Sequence, residues 1–157
     1  MDIQATTTVG AVKARWADAA AGVFTGRALV KALRKIGLKL QGTIIRRLNH
    51  RGQSWEYGYL NRRTANLQRS VFYRLEQDGG DVIVRAGVNL LRARYGRIQE
   101  LGGTIQRRSK KGRSWQIRIR PTGYIASSLQ DERGYIQDQL GLAASEITEE
   151  ITRGSTG

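Results

Sequence analysis

Apolar residues recur along the chain at two periods, and the change from one to the other marks the elements. From Gly26 to Leu48, Leu29, Leu33, Ile36, Leu40, Ile44 and Leu48 return at steps of three and four, the spacing of one helix face. Lys31, Arg34, Lys35, Lys39 and Arg46 fall on the opposite face. Gly37 and Gly42 each cost about 1 kcal/mol relative to alanine inside a helix, so close approach of another backbone is their expected use. Asn49-His50-Arg51-Gly52 places cations and a glycine at the C-terminal end, where the helix dipole favours them. From Ser70 the period falls to two. Val71, Tyr73 and Leu75 alternate with Phe72, Arg74 and Glu76, Asp78-Gly79-Gly80-Asp81 makes a hairpin turn, and Val82, Val84, Ala86 and Val88 line one face of the returning strand.

The remaining elements follow the same reading. Thr64 to Arg69 is a short helical turn, and Gln53 to Asn61 before it is a loop with Trp55, Tyr57 and Tyr59. Tyr95 to Leu101 is a short helix ended by Gly102-Gly103. A third strand begins at Thr104-Ile105, and a fourth, Ser114 to Arg120, alternates Trp115, Ile117 and Ile119 with Gln116, Arg118 and Arg120 until Pro121 ends it. The last helix is expected to open at Ser127-Ser128, where Ser128 and Asp131 have the spacing of a capping box; Leu129, Ile136, Leu140, Ala143 or Ala144, Ile147 and Ile151 form its stripe. The pattern predicts an α+β domain: a long N-terminal helix, an antiparallel sheet of two hairpins with about four strands, and a C-terminal helix. Residues 1–25 read as an arm with a short helix around Val12 to Ala21, residues 26–153 as one domain, and residues 154–157 as a frayed tail.

Composition narrows the chemistry. A chain of 157 residues buries roughly 70% of its unfolded surface and needs no staple. It has no cysteine, which excludes disulfides, thiolate zinc sites and a cysteine nucleophile. Its one histidine, His50, excludes any mechanism that uses two imidazoles. No stretch approaches the roughly twenty apolar residues of a membrane helix. The first residues carry neither a basic nor an apolar signal region, so the chain is expected to be intracellular when made.

Charge is high and segregated. Lys+Arg is 27 against 13 for Asp+Glu, for a net charge of +14. Residues 27–120 carry net +18 and residues 121–157 net −4. Such an excess meets nucleic acid, an acidic protein surface or anionic lipid. Arg107, Arg108, Lys110, Lys111 and Arg113 concentrate at the second hairpin tip just before Trp115, and Arg62, Arg63 and Arg69 follow Trp55, Tyr57 and Tyr59. Bases interleaved with aromatics suit phosphates plus stacking; a solvated hairpin end and a loop packed on its own core are the plainer readings.

No constellation for catalysis emerges. His50 lacks a neighbouring carboxylate to orient it. Glu76, Asp78 and Asp81 cluster at a turn, too few for a calcium site, and turn chemistry accounts for the aspartates. Glu100 is expected to serve a structural hydrogen bond or a subunit contact. Gly79-Gly80 and Gly102-Gly103 belong to no phosphate loop. The chain therefore reads as a non-enzyme without metal or cofactor. A basic DNA- or RNA-binding module is the alternative from another class, and a small ribonuclease using Tyr73, Arg85 and Arg118 a more distant one.

Three motifs carry a resemblance. They are Gly52-Gln53-Ser54-Trp55, Asn66-Leu67-Gln68-Arg69-Ser70-Val71, and Tyr95-Gly96-Arg97-Ile98-Gln99-Glu100-Leu101-Gly102-Gly103-Thr104-Ile105. With a basic amphipathic helix before them and a Pro-bearing segment and final helix after, their order resembles the tailed-phage virion morphogenesis, or tail-completion, proteins. The similarity spans about residues 27–150, and the run from Tyr95 to Ile105 is its most specific piece. The chain departs from that pattern at Ala65, where glycine is usual, and at Arg120-Pro121-Thr122-Gly123-Tyr124-Ile125, which has one proline and a tyrosine in the aromatic place.

The resemblance implies a structural ring subunit of six or twelve copies in the virion neck, assembled in the host cytoplasm. Gly52, Trp55, Asn66, Leu67, Tyr95, Glu100, Gly102 and Gly103 would be its signature positions. Its implied partners are head-completion or connector proteins, tail terminator or tail-tube proteins, and the double-stranded genome passing through, with no membrane. A tail-terminator ring protein has related shape and role. Trp16, Phe24, Arg62, Arg63, Asp131, Glu132 and Asp138 are the expected subunit-interface residues, with the acidic last helix of one copy meeting the basic body of the next. The basic tip would face DNA or a partner.

Overall fold

A computed structural model describes residues 3–8, 11–16, 22–49, 58, 65–78, 81–93, 95–110 and 112–154. The chain is α+β, with the long helix, the two hairpins and the C-terminal helix in the order the periodicity predicts. Helix α1 spans Gly22–Arg47. Helix α2 is Ala65–Arg69. Strands β3 (Val71–Asp78) and β4 (Asp81–Val88) form the first expected hairpin, with Asp78 paired to Asp81 at its turn. Helix α3 (Gly96–Leu101) leads into the second, made of β5 (Gly103–Arg108) and β6 (Ser114–Ile119). Helices α4 (Tyr124–Asp131) and α5 (Arg133–Gly154) close the chain.

The N-terminal segment departs from expectation. In place of a helix around Val12 to Ala21, Ile3–Thr8 (β1) and Ala11–Trp16 (β2) pair as a hairpin, and β2 adds to the free edge of β4. The principal sheet thus has four antiparallel strands in the order β1-β2-β4-β3. The alanines and threonines there carry no period that distinguishes helix from strand, and the partner that decides the matter, β4, lies some seventy residues on. The two expected hairpins also do not share a sheet, because β5 and β6 form a separate two-stranded ribbon.

The last helix differs too. It starts at Tyr124, with Gly123 in the left-handed region as its N-cap, and breaks at Glu132. Ser128 is not a cap: its hydroxyl is buried within α4 and donates to the Tyr124 carbonyl at 2.6 Å.

Helix α1 lies between the sheet and the C-terminal helices, in contact with β3, β4, α4 and α5. All six residues of its predicted stripe are buried, as are Val84, Ala86, Tyr124, Ile136, Leu140 and Ile147 around it. Each fully buried aliphatic side chain here contributes about 1.5–3 kcal/mol over its exposed state. The buried surface of α1 is wider than one stripe, since Ala28, Ala32, Thr43 and Arg47 are covered as well. That second stripe is the face that meets the C-terminal helices.

Gly37 explains how closely α1 sits on the sheet. A Cβ built there would lie 2.4 Å from Cδ2 of Tyr73 and 2.9 Å from Val84, whereas one at Gly42 would meet nothing within 4 Å. Gly37→Ala is therefore expected to lower stability, because overpacking of about 1–3 kcal/mol outweighs the propensity gain of about 1 kcal/mol. Gly42→Ala keeps that gain and should stabilise by about 0.5–1 kcal/mol. Urea unfolding of both variants checks the contrast; a stabilised Gly37→Ala would show that α1 and the sheet are not in close contact.

Candidate functional site

The most specific sequence motif folds into one buried joint. Tyr95 precedes α3, and the six residues after it turn Glu100 inward, where it is buried. One carboxylate oxygen of Glu100 accepts the Ile125 N–H at 2.9 Å and the other the Ala126 N–H at 3.0 Å. These are orphan donors of the first turn of α4, so Glu100 caps a helix whose own N-cap is a glycine without a side chain. The Gly123 N–H donates to the Glu100 carbonyl and the Thr122 N–H to the Gln99 carbonyl, which ties the Pro121 segment to α3. Tyr124 is fully buried and its hydroxyl donates to the Gly96 carbonyl at 3.1 Å. Burial, with the Glu100 carboxylate and then Tyr95 adding to it, pushes the Tyr124 phenol well above its ordinary value.

The glycines of the motif are required sterically. A Cβ at Gly96 would lie 3.0 Å from Val88 and 3.1 Å from Leu67. Gly102 has φ +72°, and a Cβ there would meet the Pro121 ring and backbone nitrogen at 2.9 Å. The second motif closes beside the first. Leu67 is buried, the Ser70 hydroxyl donates to its carbonyl at 2.6 Å, and Asn66 is exposed with its carbonyl accepting the Ser70 N–H. Of these motif residues Leu67 and Glu100 are buried, whereas Asn66 and Tyr95 are exposed; Gly52 and Trp55 lie outside the described residues, as do His50, Arg62, Arg63 and Lys111. The backbones of Trp16 and Phe24 belong to β2 and α1, and their side chains lie outside the described part.

A second buried network was missed by periodicity. Arg47, largely buried on α1, donates to the Gly58 carbonyl at 2.8 Å and pairs with Asp131. Glu132, at the break between α4 and α5, accepts the Thr43 hydroxyl at 2.6 Å and lies 3.7 Å from both Lys39 and Arg46. Lys31 approaches Glu146 at 3.7 Å. Asp131 and Glu132, expected at a subunit interface, thus meet the basic helix of their own chain, because Glu132 lies one helical turn before Ile136 on the side that packs on α1. The signal was present: Lys39, Thr43 and Arg47 recur at i, i+4 beside the apolar stripe. Asp138 is exposed.

The basic tip sits at the end of the β5–β6 ribbon. Residues 103–120 hold seven bases and no acid. Pairing of Ile105 with Ile117, Gly103 with Ile119 and Arg107 with Trp115 puts the apolar residues on one face. Thr104 and Arg118, Gln106 and Gln116, and Arg108 and Ser114 share the other. Trp115 is 46% exposed. Arg107, Arg108, Lys110 and Arg113 are exposed.

Other candidates do not converge. Glu76 bridges Arg74 and Arg85 across the sheet, and the hydrogen bond from Arg85 holds its carboxyl below the usual range. Tyr73 and Arg85 point to opposite sheet faces, since Arg74 is the residue opposite Arg85, and Arg118 belongs to the separate ribbon. Among the described residues no three His, Cys, Asp or Glu side chains could hold a metal ion, and no helix is long and apolar enough to cross a membrane. A shallow hollow of about 180 Å³ is lined by Val88, Leu90, Leu101, Tyr124, Ile125 and also Glu100, whose two oxygens both serve α4. Compared with family models, with curated proteins and with solved structures, the chain matches none of them.

Glu100→Ala leaves two helix N–H groups without an acceptor and should lower stability by about 1–3 kcal/mol, with Glu100→Gln losing less, as read by thermal unfolding. Tyr124 gives a pH signature. Its folded pKa lies above the unfolded value of about 10, so its contribution is complete below pH 10 and is lost as pH rises beyond it. Tyr124→Phe should therefore be less stable than wild type at neutral pH, by about 0.5–1.5 kcal/mol, and the gap should narrow above pH 10. Denaturant titrations at pH 7 and 10.5 test this, and an unchanged gap would refute the burial of the phenol.

Proposed function

We propose that the chain is a structural ring subunit of the neck of a tailed phage, joining the head to the tail and continuing the DNA channel. The observation that carries the reading is the run from Tyr95 to Ile105. Its residues build the joint that holds α3, α4 and the root of the basic ribbon together, which is what a signature of architecture requires. The resemblance in motif order to the virion morphogenesis family supports the same reading. Two further features fit it: the candidate acids and bases serve helix capping and ion pairs, and a charged ribbon stands clear of the main sheet.

A conducting ring constrains where charge sits. Strongly basic walls would hold DNA through counterion release and resist its passage. Lys31, Lys39, Arg46 and Arg47 of α1 are already opposed by acids of the same chain, which removes much of the basic helix from that account. The exposed bases of the ribbon tip are then the groups that face a partner or the channel.

The test uses the purified full chain and particles from the source strain. Negative-stain images should show closed rings, and antibody against the chain should label the head–tail junction. Labelling elsewhere, or a protein that remains monomeric at every concentration, overturns the reading. Binding to random-sequence duplex DNA should weaken by about 10²–10³-fold between 50 and 200 mM salt if about five phosphates are contacted. Tight binding that survives the higher salt would favour the nucleic-acid-binding module instead.

A further inference from the structure

The β5–β6 ribbon has two unlike faces. On one, Ile105, Ile117 and Ile119 are half-buried. The other is wholly open. The cross-strand pairs Thr104 with Arg118, Gln106 with Gln116 and Arg108 with Ser114 line it, and all six residues are exposed. Among the described residues, none of these six side chains has a hydrogen-bond or ion-pair partner. Arg107, Lys110 and Arg113 lie around the tip, exposed and likewise unopposed by any described acid. Residues 103–120 contain no Asp or Glu.

That charge and that side-chain set choose the occupant. Arg, Lys, Gln, Ser and Thr are the groups that reach phosphate oxygens and base edges, and an acid among them would repel the phosphates. A protein partner would want an apolar or aromatic centre, and this face has none. A membrane surface would be entered by apolar side chains, which are also missing from it. Shape narrows the choice further. The six paired residues of each strand span about 17 Å, which is about five base-pair steps. The major groove of B-form DNA admits a two-stranded ribbon, whereas that of an RNA duplex is too deep and narrow for side chains to read.

We infer that the β5–β6 ribbon enters the major groove of duplex DNA with its polar face inward. Arg108 and Arg118, with Gln106 and Gln116 between them, meet the groove, and Arg107, Lys110 and Arg113 meet the flanking phosphates. The inference deepens the neck reading and rests on it, since the genome threaded through a ring supplies the duplex. A hold of about five phosphates per copy loosens steeply with salt and lets DNA slide, as a channel requires.

The experiment measures binding of a short random-sequence DNA duplex to the purified full chain by fluorescence anisotropy, with circular dichroism to verify folding. Between 50 and 200 mM salt the wild-type affinity should fall about 500-fold, the dependence for five phosphate contacts. Arg108→Gln with Arg118→Gln should bind more weakly at the lower salt, and its fall should shrink to about 40-fold, the dependence for three. Arg34→Gln with Lys35→Gln removes the same charge from an exposed stretch of α1 and should behave as wild type. Duplex RNA of the same length should bind more weakly than the DNA. Equal loss in the two double variants would show that net charge, and not the ribbon, holds the duplex, and overturns the inference. RNA bound as tightly as DNA overturns it too, as does DNA left unbound while vesicles of phosphatidylglycerol or an acidic protein capture the chain. Negative-stain images of the same preparation keep the two readings apart. Closed rings that leave DNA unbound overturn the ribbon contact alone, and ribbon-dependent binding by a chain that never forms rings overturns the ring alone.

Discussion

Everything in this fold is referred to helix α1. It is covered by the sheet on one side and by α4 and α5 on the other, so it must offer two different faces. Toward the sheet it presents large aliphatic side chains and one gap, Gly37, into which Tyr73 and Val84 reach. Toward the C-terminal helices it presents small residues, Ala28 and Ala32, and then polar ones, Thr43 and Arg47. Burying Arg47 is tolerable because Asp131 and the Gly58 carbonyl meet it. Glu132 stands one turn before Ile136 and two before Leu140, so the face that lays Ile136, Leu140 and Ile147 along α1 also brings Glu132 against Thr43, Lys39 and Arg46.

Much of this was legible in the amino-acid order, and the part that was not has a common cause. Local period identified the aliphatic stripe of α1, the β3–β4 and β5–β6 hairpins, the short α3 and the faces of their strands, because each is set by neighbours within a few residues. The N-terminal hairpin escaped because its Ala- and Thr-rich strands are defined by pairing with β4, far along the chain. The true start of α4 escaped because its cap is supplied by Glu100, twenty-five residues before Ile125. Ser128 with Asp131 had the right spacing for a cap and the wrong environment, since Ser128 is buried in mid-helix. The candidate site was legible in part. The motif from Tyr95 to Ile105 was visible, and so was the basic tip, while the role of Asp131 and Glu132 required the tertiary fold.

Those two acids change the meaning of the charge. Read linearly, the chain divides into a basic body and an acidic end, which suggests that one copy's end seeks another copy's body. In three dimensions part of that attraction is spent inside the molecule, between α1 and the α4–α5 junction. Exposed bases remain on the ribbon and at Arg27, Arg34, Lys35, Arg69, Arg92 and Arg97, while Glu146 and Glu149 of α5 meet Lys31 and Arg153 of the same chain.

The root of the ribbon adds a mechanical consequence. Gly102 turns with positive φ against the Pro121 ring, Gly103 pairs with Ile119, and Thr122 is held to Gln99 by both its amide and its hydroxyl. Both feet are therefore clamped to the same short helix, although the blade above them has little support. A beam fixed in this way is aimed before it touches anything, so contact at its far end forfeits little orientational entropy and a thrust on the tip is delivered to α3 and thence, through Glu100, to the start of α4.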